Sequence, residues 1–351
     1  MKKEIAVLTG TNENKSLHFL FNTWPGFFVF VSIITLTRLP FLFDGYGAEE
    51  DSWGMINALM RISASGVYEA SRFPGHPVVE AVFFYALPFG PFFTNLLTAL
   101  FSSAGIYFFA LALIKLNVKH FFPATMALAF TPVVYVNACN NMDYLWALSF
   151  MMMCLFFFTD HKFITAGIFL ALAAGCRITS LALILPLVFL FFHLHYSASA
   201  NNRSIIKSVA GFFAALIITT LICFARLIKT YGLSFITHPD TLGYPQWAKT
   251  FYKMSFGVFG VIGLIALVIL LWPLIKAVFN YADKLCSKGV TWFTVSGIVI
   301  FTAIYFFLPQ KATFLIPVLP FLYMLMAVHL KSKNVYALFF RSEEHTSELQ
   351  S

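Results

Sequence analysis

Residues 44–80 read DGYGAEEDSWGMINALMRISASGVYEASRFPGHPVVE, and the fold turns on what this stretch interrupts. On either side the chain is almost continuously apolar. Here it is acidic and broken by glycine and proline: six of the chain's 15 Asp and Glu residues (Asp44, Glu49, Glu50, Asp51, Glu69 and Glu80) fall inside it. Carboxylates gathered between apolar runs stand at the edge of a membrane domain, and ionisable groups in that position point to function. The reading is an active site facing the non-cytoplasmic side.

Composition supports the membrane reading. Of 351 residues, 60% are hydrophobic, 18% aromatic and 11% charged, where a soluble domain has about a quarter charged residues. The fold class expected is an all-α polytopic membrane protein. The net charge of +8 is dispersed through short loops, which argues against a nucleic-acid surface and for cytoplasmic loops obeying the positive-inside rule. The five Cys show no CxxC or Cys/His spacing, so neither a disulfide framework nor a zinc site is expected. The polar-mixed start followed by an apolar run without a small-residue cleavage site does not read as a cleavable signal.

In chain order, residues 1–23, with Lys2, Lys3 and Lys15, are assigned to the cytoplasm. Ten spans are expected, at 24–43, 91–114, 121–138, 142–158, 163–175, 179–194, 205–225, 251–275, 292–308 and 312–330. The apolar run 78–89 is short for a ~30 Å hydrocarbon core and is read as re-entrant or interfacial. This alternation places Lys115, Lys119, Lys162, Lys207, Lys276, Lys331 and Lys333 inside. It leaves 44–77 as a first external loop and 226–250 as a second, where Arg226, Lys229 and Lys249, with Lys253 just beyond, breach the rule and suit a phosphate or simply the tolerance of a long loop. Arg38, near the outer end of the first span, either snorkels to head groups or lines the site. Residues 51–65 space Trp53, Ile56, Leu59, Met60 and Ile62 as an amphipathic helix on the membrane surface, stopped at Ser65-Gly66. Residues 71–77, SRFPGHP, are irregular. The pair His193 and His195 does not share a helix face and is read as structural. Residues 341–351, RSEEHTSELQS, read as the translation of a sequencing-library adapter. The native chain is expected to continue past Phe340, so the membrane domain is taken as 24–340.

Three external features carry chemistry. Glu49, Glu50 and Asp51 together can hold a divalent cation through oxygen, can supply a base near neutral pH through crowding, or can complement a helix dipole. Asp143 follows NACNNM at the next external turn and is either functional or a cap. Arg177 interrupts an apolar run and suits an anionic head group or lipid snorkelling. With Arg72, His76 and Lys311 these residues form a carboxylate base beside a basic cradle, which is what transfer from a lipid-phosphate donor requires.

With those residues placed, residues 24–330 resemble the C-type (GT-C) membrane glycosyltransferases, and within them the protein O-mannosyltransferase and lipid A aminoarabinose transferase group. The resemblance is carried by the acids opening the 51–65 helix, then SASGVY and SRFPGHPVVE, then NNMDYLWAL, AAGCRITSLALILP and KATFLIPVLPFLYMLMA, in that order. It implies a sugar moved from a polyprenyl-phosphate donor to a lipid, glycan or protein acceptor by an inverting single displacement. It implies Asp51 as catalytic acid–base residue, with Glu49 and Glu50 resembling the variable partner of its acidic pair, and Asp143 as a second site acid. His76, Arg177 and, loosely, Lys311 are implied to bind the donor phosphate, and Arg72, a further external cation, is assigned to it beside them. The order Glu-Glu-Asp departs from the family's adjacent Asp-Glu, which leaves the base between Asp51 and Glu49. No cofactor is expected, or a divalent cation held by Glu49 and Asp51. The setting expected is a bacterial inner membrane with the site on its extracytoplasmic face. The alternative is a transporter or flippase of lipid-linked sugars, which would place broken helices and ionisable groups at mid-membrane.

Overall fold

The computed structural model describes residues 19–47, 49–196, 202–233, 247–280, 285–307 and 311–329. The segments 1–18 and 330–351, including the adapter-like tail, lie outside the described residues. Among the described residues every regular element is helical. We number the helices α1 (Trp24–Leu36), α2 (Glu50–Ser65), α3 (Pro77–Ala86), α4 (Gly90–Lys115), α5 (Phe121–Phe130), α6 (Pro132–Asn137), α7 (Asp143–Thr159), α8 (Phe163–Cys176), α9 (Ile184–Tyr196), α10 (Asn202–Tyr231), α11 (Trp247–Asn280), α12 (Leu285–Phe307) and α13 (Leu319–His329). Five segments are long and apolar enough to cross a bilayer: Pro77–Lys115, Ile205–Tyr231, Ala248–Trp272, Gly289–Phe307 and Ala312–His329. Shorter apolar helices accompany them at Trp24–Leu36, Phe121–Phe130, Asp143–Thr159, Phe163–Cys176 and Ile178–Leu194.

Helix α7 is the centre. Fifteen of its 17 residues are buried, as a helix that is apolar all round must be. It packs between α4 and α8, and α8 packs in turn on α10. Small residues let these backbones approach, which is how helices associate where no hydrophobic force separates them from lipid. A Cβ on Gly105 of α4 would lie 2.6 Å from the Ser149 Cα of α7, and a Cβ on Gly167 of α8 would lie 3.2 Å from the Leu216 nitrogen of α10.

Proline and glycine cut several expected spans into parts. The 121–138 run divides into α5 and α6 at Thr131-Pro132, because proline forces the residue before it to extended backbone (Thr131 φ −61, ψ 128). The first span ends as a helix at Leu36 and continues through a 3₁₀ turn, Leu39–Phe41, that carries Pro40. The 78–89 run is α3, then a 3₁₀ turn at Leu87–Phe89, then Gly90 at φ +81. It is packed against α2, α8 and α10, with Val79, Phe83 and Ala86 buried.

Helix α2 stands where expected, ended by Gly66 at φ +70, whose N–H reaches the Ile62 carbonyl. Its orientation differs from expectation. Ile56, Leu59 and Ile62 turn inward with Met55, whereas Trp53 and Met60 are exposed, so its apolar face packs on protein. Arg38 neither snorkels nor lines the acidic loop. It is 0% exposed, its Nη1 and Nη2 donating to the carbonyls of Ile34 and Ala129 at 2.7 Å each, its guanidinium 5.0 Å from the Tyr135 ring. An arginine inside an apolar bundle needs such acceptors because nothing else there solvates it. The second external loop is shorter than 226–250: α10 runs on through Tyr231 and α11 begins at Trp247. Arg226, Lys229 and Lys249 are therefore helical, and residues 234–246 lie outside the described residues.

Replacing Gly105 by Val should lower the thermal unfolding midpoint in detergent, because the added carbons meet the α7 backbone rather than a movable side chain. Overpacking of this kind costs about 1–3 kcal/mol. An unchanged midpoint would show that α4 and α7 are not packed this closely.

Candidate active site at the head of the central helix

Asp143 opens α7, and four other elements bring charge to it. The 66–76 loop supplies Arg72 and His76, the end of α8 supplies Arg177, the start of α2 supplies Glu49 and Asp51, and the strand-like residue before the 3₁₀ turn Ala312–Val318 is Lys311. All seven residues expected from the sequence meet in one network. Arg72 bridges it: Nη2 donates to Asp143 Oδ1 at 2.7 Å, Nη1 pairs with Asp51 Oδ2, and Nε donates to His76 Nε2 at 2.8 Å. Arg177 Nη1 donates to Asp143 Oδ2 at 2.6 Å, with its guanidinium 4.1 Å and 4.7 Å from the rings of Tyr144 and Phe314. Lys311 Nζ donates to Asp51 Oδ2 at 2.5 Å and to Glu49 Oε2 at 3.1 Å.

The two halves of the network differ in exposure. The Asp143 side chain is 0% exposed and those of Arg177 and His76 are 12% and 6% exposed, whereas Asp51, Arg72 and Lys311 are 29%, 29% and 31% exposed. Burial alone would push the Asp51 carboxyl up, but Arg72 and Lys311 outweigh it and hold it below the usual carboxylate range. Burial holds the His76 imidazole below its ordinary value against the pull of Asp143. Because His76 Nε2 accepts from Arg72, the ring proton sits on Nδ1, which faces the Cys176 carbonyl at 2.5 Å. Both nitrogens of a neutral ring are thus engaged, and His76 offers no cation to a phosphate. Glu50, the third acid of the run, is not part of this network. Between Glu49 and Asp51, where a divalent ion would have to sit, lies the Lys311 ammonium, so this pair does not fit a metal in this arrangement. Among the described residues no group of three or more His, Cys, Asp or Glu side chains is placed to hold one.

Glu80, one of the six acids of residues 44–80, has no place in the charge network but anchors the segment beside it. It is buried on α3, and its Oε1 accepts from Ser71 N at 3.0 Å, Ser71 Oγ at 2.6 Å and His76 N at 3.4 Å. Its Oε2 accepts from the Tyr68 hydroxyl at 2.9 Å, and Arg226 lies 4.8 Å over the Tyr68 ring. Glu80 therefore ties down both ends of the segment that delivers Arg72 and His76. Within it Gly75 stands at φ +95 against Leu227, where a side chain has no room. The signal that could have flagged Glu80 is a lone acid four residues after His76 in an apolar run. A second signal is an internal repeat. Residues 177–186, RITSLALILP, and 311–320, KATFLIPVLP, share a cation, Thr at the third place, Leu at the fifth, and Leu-Pro at the end. Both cations sit in extended backbone (Arg177 φ −150, Lys311 φ −140) directly before a 3₁₀ turn. The same local device is used twice, once for each carboxylate. Ser52 Oγ and Asn141 Oδ1, close in sequence to Asp51 and Asp143, are buried without a hydrogen-bond partner.

Glu80→Ala should destabilise the protein by about 1–3 kcal/mol, because it strips acceptors from buried donors. It should also expose the 66–76 segment to limited proteolysis. Glu80→Gln, which keeps an oxygen at the Oε1 position, should do neither. Equal behaviour of the two variants would show that Glu80 does not hold the segment.

No family model matches the chain, and no curated protein sequence matches it. Solved structures do. The crystal structure of ArnT from Cupriavidus metallidurans bound to undecaprenyl phosphate is similar at 15% identity with a TM-score of 0.62, over 93% of this chain and 64% of that one. The apo structure of the same protein is similar at 14% identity and 0.64, over 90% of this chain and 62% of that one. The chain thus spans somewhat under two thirds of their length. At such identity the likeness is one of fold, and in fold this chain is a multi-pass membrane protein of the ArnT kind, as its resemblance to the C-type membrane glycosyltransferases implied.

Proposed function

We propose that this protein is a membrane glycosyltransferase that takes a hexosyl or pentosyl group from a polyprenyl-phosphate donor and passes it to a hydroxyl on a lipid, glycan or protein acceptor. The observation that carries this reading is the Asp51–Arg72–Asp143 network: a partly exposed carboxylate and two partly exposed cations, fixed to a buried charged base, at one end of an ArnT-like helical bundle. The undecaprenyl phosphate bound to ArnT supports a polyprenyl phosphate as the donor's carrier. Charge supports an extracytoplasmic site. At the far end of α7, a 17-residue helix of about 25 Å at 1.5 Å per residue, Asp160 pairs with Lys115 and Lys162. Lysines favour the cytoplasm, which supports an extracytoplasmic position for the Asp143 end. A bacterial inner membrane is the setting proposed.

In the reaction, the donor enters from the outer leaflet with its phosphate toward Arg72 and Lys311. Asp51 takes the proton of the acceptor hydroxyl as its oxygen attacks the anomeric carbon. The carbon–oxygen bond to phosphate breaks as the new bond forms, with inversion, and the electron pair leaves on the polyprenyl phosphate. A phosphate leaves without protonation, so a second carboxylic acid is not needed, in contrast to glycoside hydrolysis. Asp143 and Arg177 keep Arg72 in place and touch neither substrate. Asp51, which lies between both exposed cations and so beside the phosphate they would hold, is favoured over Glu49 as the base.

Membranes carrying the chain or its Asp51→Asn variant would be supplied with radiolabelled polyprenyl-phosphate sugars. Transfer should fall about 100-fold or more in the variant, as for loss of a general base. Equal transfer by both would move the base elsewhere, with Glu49 next. If neither transfers label while both move lipid-linked sugar between leaflets, the flippase reading takes its place.

A further inference from the structure

Asp51 presents a conflict. A general base should hold its proton readily, yet this carboxylate is clamped by two cations on a single oxygen, Oδ2. In that state it is a poor base, and the cations that a phosphate needs are already taken. Asp143 is likewise held by two cations, Arg72 and Arg177, the latter from the other copy of the repeat that supplies Lys311. The network thus contains two anion positions sharing Arg72. They are not equivalent: Asp143 is 0% exposed and bonded through both oxygens, whereas Asp51 is 29% exposed and bonded through one. An incoming anion can exchange with Asp51 and cannot reach Asp143.

Resting on the function proposed above, we infer that the donor's phosphate binds by replacing the Asp51 carboxylate between Arg72 and Lys311, and that this exchange is what frees Asp51 to act as base. The phosphate-holding pair is then Arg72 and Lys311. Arg177 and His76, expected from the sequence to touch phosphate, are positioning residues committed to Asp143 and to the Cys176 carbonyl. Charge balance agrees. With His76 neutral, the network holds three cations (Arg72, Arg177, Lys311) and three carboxylates (Glu49, Asp51, Asp143). Each of these cations is matched by a carboxylate, so a phosphate that pairs with Arg72 and Lys311 displaces one of the carboxylates; Lys253 of α11, near enough to Lys311 and Glu49 to interact with their charges, adds positive potential on the open side. The exchange also orders the reaction: with the donor absent the base stays clamped, and an acceptor arriving first finds no proton acceptor.

The test separates affinity from turnover. Binding of a sugar-free polyprenyl phosphate to the detergent-solubilised protein would be measured for wild type, Asp51→Asn and Lys311→Gln. A residue that only abstracts a proton leaves this affinity unchanged when neutralised. A residue that competes for the cations raises it. Asp51→Asn is expected to bind about tenfold tighter, the size of one charge-assisted hydrogen bond regained, while transfer is lost. Lys311→Gln is expected to bind about tenfold more weakly and to abolish the gain when combined with Asp51→Asn. Unchanged or weaker binding by a folded Asp51→Asn overturns the exchange. Should Asp51→Asn not fold, unchanged binding by Lys311→Gln does so. Competition by an equimolar amount of phosphatidylglycerol would mean that any lipid head group fills the position, and this too overturns the assignment. If wild type binds no polyprenyl phosphate at all, it is the glycosyltransferase reading itself that fails.

Discussion

A fully buried aspartate holds the polar end of this protein together. Asp143 begins the most enclosed helix of the bundle, and an unpaired carboxylate there would carry the full desolvation penalty of a buried charge. Two arginines and a histidine meet it, Arg72 and His76 from the 66–76 loop and Arg177 from the end of α8. Breaking such a pair by removing one partner costs about 3–5 kcal/mol, although the pair itself adds little net stability. Its effect is on geometry. The 66–76 loop, the α8 terminus and the head of α7 are held in one register, and Arg72, fixed through Asp143, is presented to Asp51.

The rest of the bundle follows membrane rules. Buried polar side chains find much of their hydrogen bonding inside the protein, as the scarcity of water in a bilayer demands. Arg38 is wrapped by the carbonyls of two helices, and the Thr131 hydroxyl meets the Ala127 carbonyl and the Tyr323 hydroxyl at 2.6 Å each. Glycines at 105 and 167 bring helix backbones close. This rigid frame suits a site whose working parts sit on element ends, because only the exposed half of the network has to move. The repeated cation-x-Thr-x-Leu segment supports that division. One copy is locked beneath aromatic rings on Asp143, and the other reaches toward the open side on Asp51 and Glu49.

The apolar runs by themselves determined a polytopic helical membrane protein, because a bilayer admits few other solutions for such a composition. Sequence patterning also located α2 and its glycine stop, and the external acids, cations and histidine it singled out are the seven residues that come together. These were legible because charge is rare in such a chain and each instance stands out. Tertiary structure alone decided how the charges pair, since residues such as Asp51 and Lys311, far apart in the chain, become partners only through packing. It decided that Arg38 is structural, that Trp53 and Met60 face away from the protein, and that Arg226 belongs to a helix. It decided that Lys311 stands where a metal had been one alternative, and that Glu80 anchors the loop. The sequence reports which residues carry charge; burial, which sets whether a charge can exchange with a ligand, is a property of the assembled fold.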